Sequence, residues 1–265
     1  MKKIAFYVVV VLLVLVTIGA IFGGFDKFVL GGKGAGLSSK GVRLVTNMLY
    51  DDVIKAMRED NALFSVDRAL EISGIAYKVT SAQFSKDFSD DEAAANKKYK
   101  GKKILVVGKI DRIGKDDQGN KYYSIKTGGQ RDLEMYVRMV LIREGEIANL
   151  KKDDTVYLVC NSVTKIDSIS GVKNCIKLTS YLNNGERFSG FVARVLSGKE
   201  KVSEKEAEAI IYSYIVGNEL PDGSTCYTAI DQACVNSIDS IVEFKNDEFK
   251  QKAKKMAERL GVSIE

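Results

Sequence analysis

Aromatic and basic side chains are interleaved over one short stretch in the middle of the chain. Tyrosine rings can stack on the faces of nucleic-acid bases, while lysine and arginine can pair with phosphate groups. Residues 96–182, which include this stretch, contain 18 basic and 10 acidic side chains. The alternative interpretation is a solvated surface with tyrosines half-buried at the ends of strands. The candidate ligand-binding residues are Tyr122, Tyr123, Lys126, Arg131, Tyr136 and Arg138.

Residue types that commonly carry out catalysis are sparse. The chain has no histidine, the commonest general acid or base near neutral pH and the commonest metal ligand. Its absence excludes Ser-His-Asp and Cys-His catalysis and histidine-based zinc sites. The adjacent carboxylate pairs Asp116-Asp117 and Asp153-Asp154 fall in predicted turns, where we expect them to be solvated. We therefore expect no enzyme activity, no cofactor and no metal, with an envelope enzyme as the alternative.

The four cysteines, Cys160, Cys175, Cys226 and Cys234, all lie in the second half of the chain. An even number of cysteines in an exported chain suggests disulfide bonds, and four cysteines allow three connectivities. We favour the two pairs that are local in sequence, Cys160–Cys175 and Cys226–Cys234. The alternative is a cytosolic protein with buried free thiols. Neither pair has the CxxC spacing that zinc sites use.

A hydrophobic segment lies at the N-terminus, where residues 4–22 form a run of 19 uncharged residues without a polar stripe. About 20 apolar residues span the hydrocarbon layer as a helix. Lys2 and Lys3 precede the run, which favours an N-terminus inside the cell. We predict an uncleaved signal-anchor followed by a glycine-rich spacer that ends at residue 37, and a cleaved signal peptide is the alternative.

The candidate ligand-binding residues must be positioned by β-strands. Residues 102–113 are rich in β-branched side chains, and Gly108 within them predicts a bulge or a sharp bend. Further strands are predicted at 122–126, 133–140, 155–163 and 173–179, with a short helix at 144–150. Three strands, a short helix and two strands is the element order of an OB-fold, a five-stranded Greek-key β-barrel. Such barrels bind ligands on the face of their second and third strands.

Helical patterns precede this predicted barrel. Apolar residues recur at intervals of three and four within residues 38–74, and we expect them to pack against the barrel. A second helix is predicted to stop at Gly74. Ser89 is predicted to cap a third helix at residues 89–98. The residues on the shared apolar face are Val42, Val45, Leu49, Val53 and Met57.

Helical patterns return after the predicted barrel. Ser203 and Glu206 have the spacing of a capping box, in which each side chain bonds the backbone N–H of the other residue. Residues 230–244 are weakly helical. Asn246 is predicted to cap a last helix at residues 247–260, which ends at Gly261.

Residues 96–178 resemble the tRNA-anti-like family of OB-fold domains, which occur in many bacterial exported proteins and lipoproteins, and the stretch 90–117 carries the first set of matching residues. The shared features are Asn96, the Tyr99-Lys100-Gly101-Lys102 step into the first strand, and the glycine-to-isoleucine spacing from Gly108 to Ile113. A second match covers residues 151–160, with Cys175 following in the fifth strand. The family's name refers to nucleic-acid-binding OB domains, and the shared motifs are structural.

Taken together, these features predict an α+β protein: an N-terminal transmembrane helix, then a five-stranded OB-type Greek-key β-barrel with helical segments before and after it. The predicted divisions are residues 1–37, 38–95, 96–182 and 183–265. We expect a single-pass protein of the bacterial inner membrane, with its body in the periplasm or outside the cell. Its predicted role is a non-catalytic module that binds an envelope protein partner, and a single-stranded nucleic-acid-binding protein is the alternative.

Overall fold

The computed structural model describes only part of the chain. Residues 4–22, the spacer, Arg131, Asp116 and Asp117 lie outside the described part, as does nearly all of the helix predicted at 144–150. Within the described part, no helix combines the length and the apolar character needed to cross a membrane. The described residues are 40–115, 121–126, 135–138, 150–166, 169–183 and 185–263.

The described residues form two compact units, where the sequence suggests four successive segments. One unit, here called the helical unit, combines the described residues before Asp67 with those after Asn184. The other unit, here called the sheet unit, is the described part of Asp67–Asn184. The helical unit is therefore built from two segments that are far apart in the sequence.

The sheet unit has six strands and four helices in its described residues. The strands are β1 (Tyr77–Thr80), β2 (Ile104–Lys115), β3 (Lys121–Ile125), β4 (Met135–Arg138), β5 (Thr155–Ile166) and β6 (Ile169–Lys177). The helices are α2 (Val66–Ser73), α3 (Ser81–Asp90), α4 (Glu92–Tyr99) and α5 (Leu178–Leu182). This α+β content agrees with the fold class expected from the sequence.

The six strands form one mixed sheet in the order β1-β2-β3-β4-β6-β5, and β2 also pairs with β5. The pairs β1–β2 and β4–β6 are parallel, and the other four pairs are antiparallel. All five strands predicted from the sequence are present, with shifted ends. Strand β1, a short strand that pairs with the first half of β2, was not predicted from the sequence.

The disulfide bond of the sheet unit joins two neighbouring strands. Cys160 of β5 and Cys175 of β6 are direct partners in the antiparallel register, and their Cα atoms are 4.0 Å apart. Both residues are fully buried and belong to the hydrophobic core of this unit, together with Ile104, Ile110 and Ile125. The predicted pairing is confirmed.

The helices directly before β2 differ from the prediction in two ways, because α3 was not predicted and α4 begins at Glu92 instead of following Ser89. Ser89 lies inside α3, where its hydroxyl donates to the carbonyl of Lys86 at 2.9 Å. The residue that caps α4 is Asp91, whose side chain accepts from the backbone N–H of Ala94 at 3.0 Å. The prediction that Ser89 caps the third helix is wrong, because an aspartate two residues later occupies the N-cap position.

Gly108 permits a close approach of two elements, while the predicted bulge lies three residues later. A Cβ atom at Gly108 would lie 2.3 Å from Cγ2 of Ile125 and 2.6 Å from Oγ of Ser81. The register between β2 and β3 shifts between Ile110 and Arg112. The glycine therefore lets the N-terminus of α3 and strand β3 approach β2, and the irregularity is at Asp111.

The helical unit has four α-helices and one 3₁₀ turn in its described residues. They are α1 (Lys40–Met57), α6 (Gly185–Leu196), α7 (Glu204–Glu219), the 3₁₀ turn (Thr225–Tyr227) and α8 (Gln232–Leu260). The Ser203–Glu206 capping box is confirmed at the start of α7. Gly261 ends α8 in the left-handed conformation, as predicted, with φ of 66°.

The apolar face of α1 is buried as its periodicity predicts, but its partners are helices. The residues of this face are buried, and α1 packs on α6 and α7. The closest approach pairs Gly41 with Gly217, where a Cβ atom on Gly217 would lie 2.8 Å from Cα of Gly41. The prediction that this face packs against the strands is wrong, because an apolar stripe does not specify which element covers it.

The second disulfide bond joins the 3₁₀ turn to the start of α8. Cys226 and Cys234 have Cα atoms 4.7 Å apart, and both are fully buried. Asp231 caps α8 by accepting from the backbone N–H of Cys234 at 2.8 Å. The two helices predicted at 230–244 and 247–260 form one element with a non-helical residue, Lys245, at the predicted junction.

Candidate functional site

Strands β3 and β4 hold four of the six candidate ligand-binding residues. Their antiparallel register pairs Tyr123 with Val137 and Ser124 with Tyr136. Successive residues of a strand alternate between the two faces of a sheet. By this alternation Tyr122, Tyr136 and Arg138 fall on one face. Tyr123 falls on the other face, and the sheet is covered on both faces at this point, because Ser124 and Ile125 are both fully buried.

Lys126, the residue after β3, is held by an ion pair. Its Nζ lies 2.5 Å from Oδ1 of Asp153, and both side chains are exposed. The hydrogen bond to Asp153 raises the pKa of Lys126, and the same bond lowers the pKa of Asp153. The backbone of Lys126 is anchored as well, because its N–H donates to the carbonyl of Lys109 at 2.9 Å. The charge of Lys126 is thus already compensated within the protein.

The adjacent carboxylates Asp153 and Asp154 have separate structural roles. The N–H of Asp153 donates to the carbonyl of Ile110 at 2.7 Å, and the N–H of Ile110 donates to the carbonyl of Asp154 at 3.0 Å. The side chain of Asp154 accepts from the N–H of Lys151 at 2.8 Å. One carboxylate therefore pairs with Lys126 and the other caps its own turn. The arrangement holds the turn against β2 and does not create a coupled acid–base pair.

An aromatic cluster that the sequence analysis did not identify lies where α3 and α4 meet β1. The rings of Phe84 and Tyr99 have centroids 5.2 Å apart, and those of Tyr77 and Tyr99 have centroids 6.0 Å apart. Nζ of Lys98 lies 4.9 Å from the centroid of Tyr99, and Nζ of Lys102 lies 5.0 Å from that of Tyr77. The sequence signal was Lys98 together with the Tyr99-Lys100-Gly101-Lys102 step, because Lys98 and Lys102 are the cations beside these rings.

Asp87 neutralises the charge of Lys98 in this aromatic cluster. It accepts hydrogen bonds from Lys98 at 2.8 Å and from the hydroxyl of Tyr99. Burial alone would raise the pKa of Asp87, but the hydrogen bonds from Lys98, Tyr99 and Gln83 outweigh it and lower the pKa. Burial, reinforced by the bond to Asp87, raises the pKa of Tyr99 to about 12. These bonds tie α3 to α4, and the cluster is a structural corner of the sheet unit.

Metal binding has no support in the described part of the chain. No group of three or more Cys, Asp or Glu side chains there is arranged to hold a metal ion. All four cysteines are in disulfide bonds, so none is a free thiolate ligand. The candidate site is the face of the sheet that β3 and β4 form.

A family model described as tRNA_anti-like matches residues 1–176, which is more than half of the chain. The chain belongs to the tRNA_anti-like family. The family match confirms the resemblance seen in the sequence, and it ends inside β6, one residue beyond Cys175. The helical unit after residue 184 lies outside the matched range.

Similarity to individual proteins is weaker than the family match. One similar protein of known crystal structure is a provisionally named nucleic acid-binding lipoprotein from Klebsiella pneumoniae subsp. pneumoniae, whose sequence is 20% identical to this chain. The alignment covers 38% of this chain and 90% of that chain, with a TM-score of 0.32. No curated protein matches this chain.

Proposed function

We propose that this tRNA_anti-like protein is a membrane-anchored, extracytoplasmic OB-fold module that binds a partner without catalysing a reaction. The observation that carries the proposal is the disulfide bond between Cys160 and Cys175, which lies in the core of the sheet unit. Disulfide bonds of this kind form and persist in oxidising compartments outside the cytosol. The partner we favour is another protein of the cell envelope.

The strand pairings support an OB-type barrel. Strand β2 pairs with both β3 and β5, β5 pairs with β6, β6 pairs with β4, and β4 pairs with β3. In this proposal the five strands close into the barrel that the sequence predicts, and β1 is an added strand beside β2. A barrel removes exposed sheet edges, so it provides a rigid platform on which a binding face can be presented.

The absence of catalysis is proposed from the state of the candidate catalytic groups. The chain has no histidine, and three of the described carboxylates are held in ion pairs with lysine. Asp153 pairs with Lys126, Asp87 pairs with Lys98, and Glu219 pairs with Lys245. Each of these carboxylates has a lowered pKa, which makes it a poor proton donor or acceptor at neutral pH.

The location can be tested with C-terminal reporter fusions to the full chain in a bacterial host. Alkaline phosphatase is active only outside the cytoplasm, whereas a cytoplasmic fluorescent protein is bright only inside. We expect an active phosphatase fusion, a dark fluorescent fusion, and a protein that stays in the membrane after carbonate extraction. A bright fluorescent fusion would refute the extracytoplasmic location, and release by carbonate would refute the anchor at residues 4–22.

Single-stranded nucleic acid is a second candidate ligand, and one observation favours it. The β3–β4 register brings Tyr122, Tyr136 and Arg138 to one face of the sheet, in a region with 18 basic and 10 acidic residues. Aromatic platforms beside cations bind single strands with little sequence preference. This arrangement predicts binding that weakens as the salt concentration rises.

Substitutions at Tyr136 distinguish stacking from general charge attraction. Tyr136→Ala should weaken binding of a labelled oligonucleotide by about 1–3 kcal/mol, because one base loses its stacking partner. Tyr136→Phe keeps the ring and should bind like the unaltered protein. Lys254→Gln removes an exposed charge of the helical unit and serves as the charge control. Binding that is absent, independent of salt, or equally weakened by all three substitutions would eliminate this candidate.

A further inference from the structure

A pocket of about 270 Å³ opens within the helical unit, in a part of the chain that the family model does not match. It is formed by the end of α6, the second half of α7 and the second half of α8. The apolar part of its wall consists of Leu196, Ile215, Met256 and Leu260. Leu196 and Ile215 are buried, so this wall is a fixed part of the unit.

The polar part of the wall carries an excess of positive charge. It contains Lys252, Lys255, Arg259 and one carboxylate, Glu219. Glu219 accepts from Nζ of Lys245 at 2.6 Å and from Nζ of Lys252 at 3.1 Å. The bond from Lys245 lowers the pKa of Glu219 against the effect of burial, and Lys252 adds to this. The one negative charge on the wall is therefore already neutralised.

Lys255 and Arg259 remain as uncompensated cations on this wall. Neither forms an ion pair with any residue in the described part of the chain. They lie four residues apart on α8, where like charges repel one another. The helix dipole stabilises cations in the last turn of a helix, which covers Arg259 but not Lys255 one turn earlier. An anion bound between the two side chains would relieve the repulsion.

We infer that this pocket binds a single acyl chain with an anionic head group. The apolar wall suits the chain, and Lys255 and Arg259 suit a carboxylate or phosphate head. The volume lies just below the roughly 300–1,000 Å³ that is usual for small-molecule sites. A helical peptide needs a groove that holds anchors over about two turns, so the small volume of this pocket favours a short lipid.

Photo-crosslinking tests this inference on the full chain in bacterial membranes. The probe is a dodecanoic acid that carries a photoactivatable diazirine near the end of its chain. We expect crosslinks, located by mass spectrometry, in the peptides that contain residues 214–219 and 252–260. Crosslinks at residues 4–22 report on partition into the bilayer and provide an internal reference for the yield at the pocket.

Matched substitutions separate a built site from general adsorption. Lys255→Gln combined with Arg259→Gln should lower the yield at the pocket about tenfold, as expected for loss of charge-assisted hydrogen bonds. Lys254→Gln, an exposed residue of the same helix, should leave the yield unchanged. These positions are at least partly exposed, so the substitutions should not disturb folding, and circular dichroism checks that they do not.

Competition identifies the source of the head group. Excess dodecanoate should displace the probe if the ligand is a fatty acid, and lysophosphatidylglycerol should displace it if the ligand is a phospholipid. Displacement by either compound, but not by dodecanol, supports the inference. Crosslinks confined to residues 4–22, equal yields for the double substitution and Lys254→Gln, or displacement by dodecanol would each overturn it. Displacement by an acidic amphipathic peptide alone would also overturn it.

Discussion

The sheet unit and the helical unit are each crosslinked by one disulfide bond, but the chain assembles them in different ways. The sheet unit comes from one continuous segment, and its disulfide joins residues that are already partners in a β-ladder. The helical unit comes from two segments, and the bond from the N–H of Gly41 to the side chain of Asn218 links residues 177 apart. The sheet unit therefore depends on strand register, whereas the helical unit depends on distant helices meeting closely.

Removal of a disulfide bond should cause the largest loss of stability in the unit that contains it. Replacing Cys160 and Cys175 by alanine should lower the free energy of unfolding by about 3 kcal/mol, because the unfolded chain regains the freedom of a 15-residue loop. Replacing Cys226 and Cys234 should cost slightly less, about 2.5 kcal/mol, because its loop is shorter. Hydrogen exchange followed by mass spectrometry should show each loss in the unit that contains the bond. Loss of protection in the opposite unit would contradict the division into two units.

Substitution of a glycine at a close contact should cause the next largest loss of stability. Gly41→Ala should destabilise the helical unit by about 2 kcal/mol, because the added methyl group collides with the backbone and overpacking costs about 1–3 kcal/mol. The new Cβ atom would lie 2.4 Å from the carbonyl oxygen of Tyr214. Gly108→Ala should destabilise the sheet unit less, because its nearest atoms belong to the side chains of Ile125 and Ser81.

Gly223→Ala is the control for both glycine substitutions. No atom lies within 4 Å of the added Cβ position at Gly223, so the change in the free energy of unfolding should stay within about 0.5 kcal/mol. Urea unfolding at pH 7 measures all three variants. A Gly41→Ala variant as stable as Gly223→Ala would show that α1 and α7 do not cross where the structure places them.

Substitution of one carboxylate in each unit should cause the smallest loss of stability. Hydrogen bonds hold the pKa of Asp87 and of Glu219 below their usual values. A lowered carboxyl pKa adds stability above the pKa of the unfolded chain, and that stability is lost as the pH falls through the folded pKa. Asp87→Asn and Glu219→Gln should therefore each cost about 1 kcal/mol at pH 7.

The cost of both substitutions should shrink in acid. The ion pairs lose their contribution as the pH falls through the lowered pKa values of Asp87 and Glu219 in the folded protein, so the stability of each variant should approach that of the unaltered protein in increasingly acid solution. Urea midpoints at pH 7 and pH 3 give the comparison. A cost that stays the same at both pH values would mean that the ion pairs of Asp87 and Glu219 do not contribute through their charge.

Local sequence signals predicted much of the fold. The five predicted strands, the Ser203–Glu206 capping box, the helix end at Gly261 and both cysteine pairs each depend on residues close together in the sequence, and the structure contains all of them. Such signals are reliable because turn, cap and register preferences act over a few residues. Helix α3 was missed, although Ser81, Phe84 and Phe88 have helical spacing and are buried.

Non-local features could not be predicted in the same way. The apolar stripe of α1 predicts burial but does not identify α6 and α7 as its partners. Strand β1 is four residues long and gains its identity from parallel pairing with β2. The candidate site was predicted as six residues on one face, but the register places Tyr123 on the face opposite Tyr136. The pairing of Lys126 with Asp153 is likewise a contact between distant turns.

We propose above all that this protein folds and acts outside the cytoplasm with both disulfide bonds formed. Intact cells that express the full chain are treated with a thiol-alkylating reagent during acid quenching, with and without prior reduction, and the mass of the protein is measured. The account predicts no alkylated cysteine before reduction and four after it. Alkylation of Cys160, Cys175, Cys226 and Cys234 without a reductant would contradict the account, because it would place the body in the reducing interior.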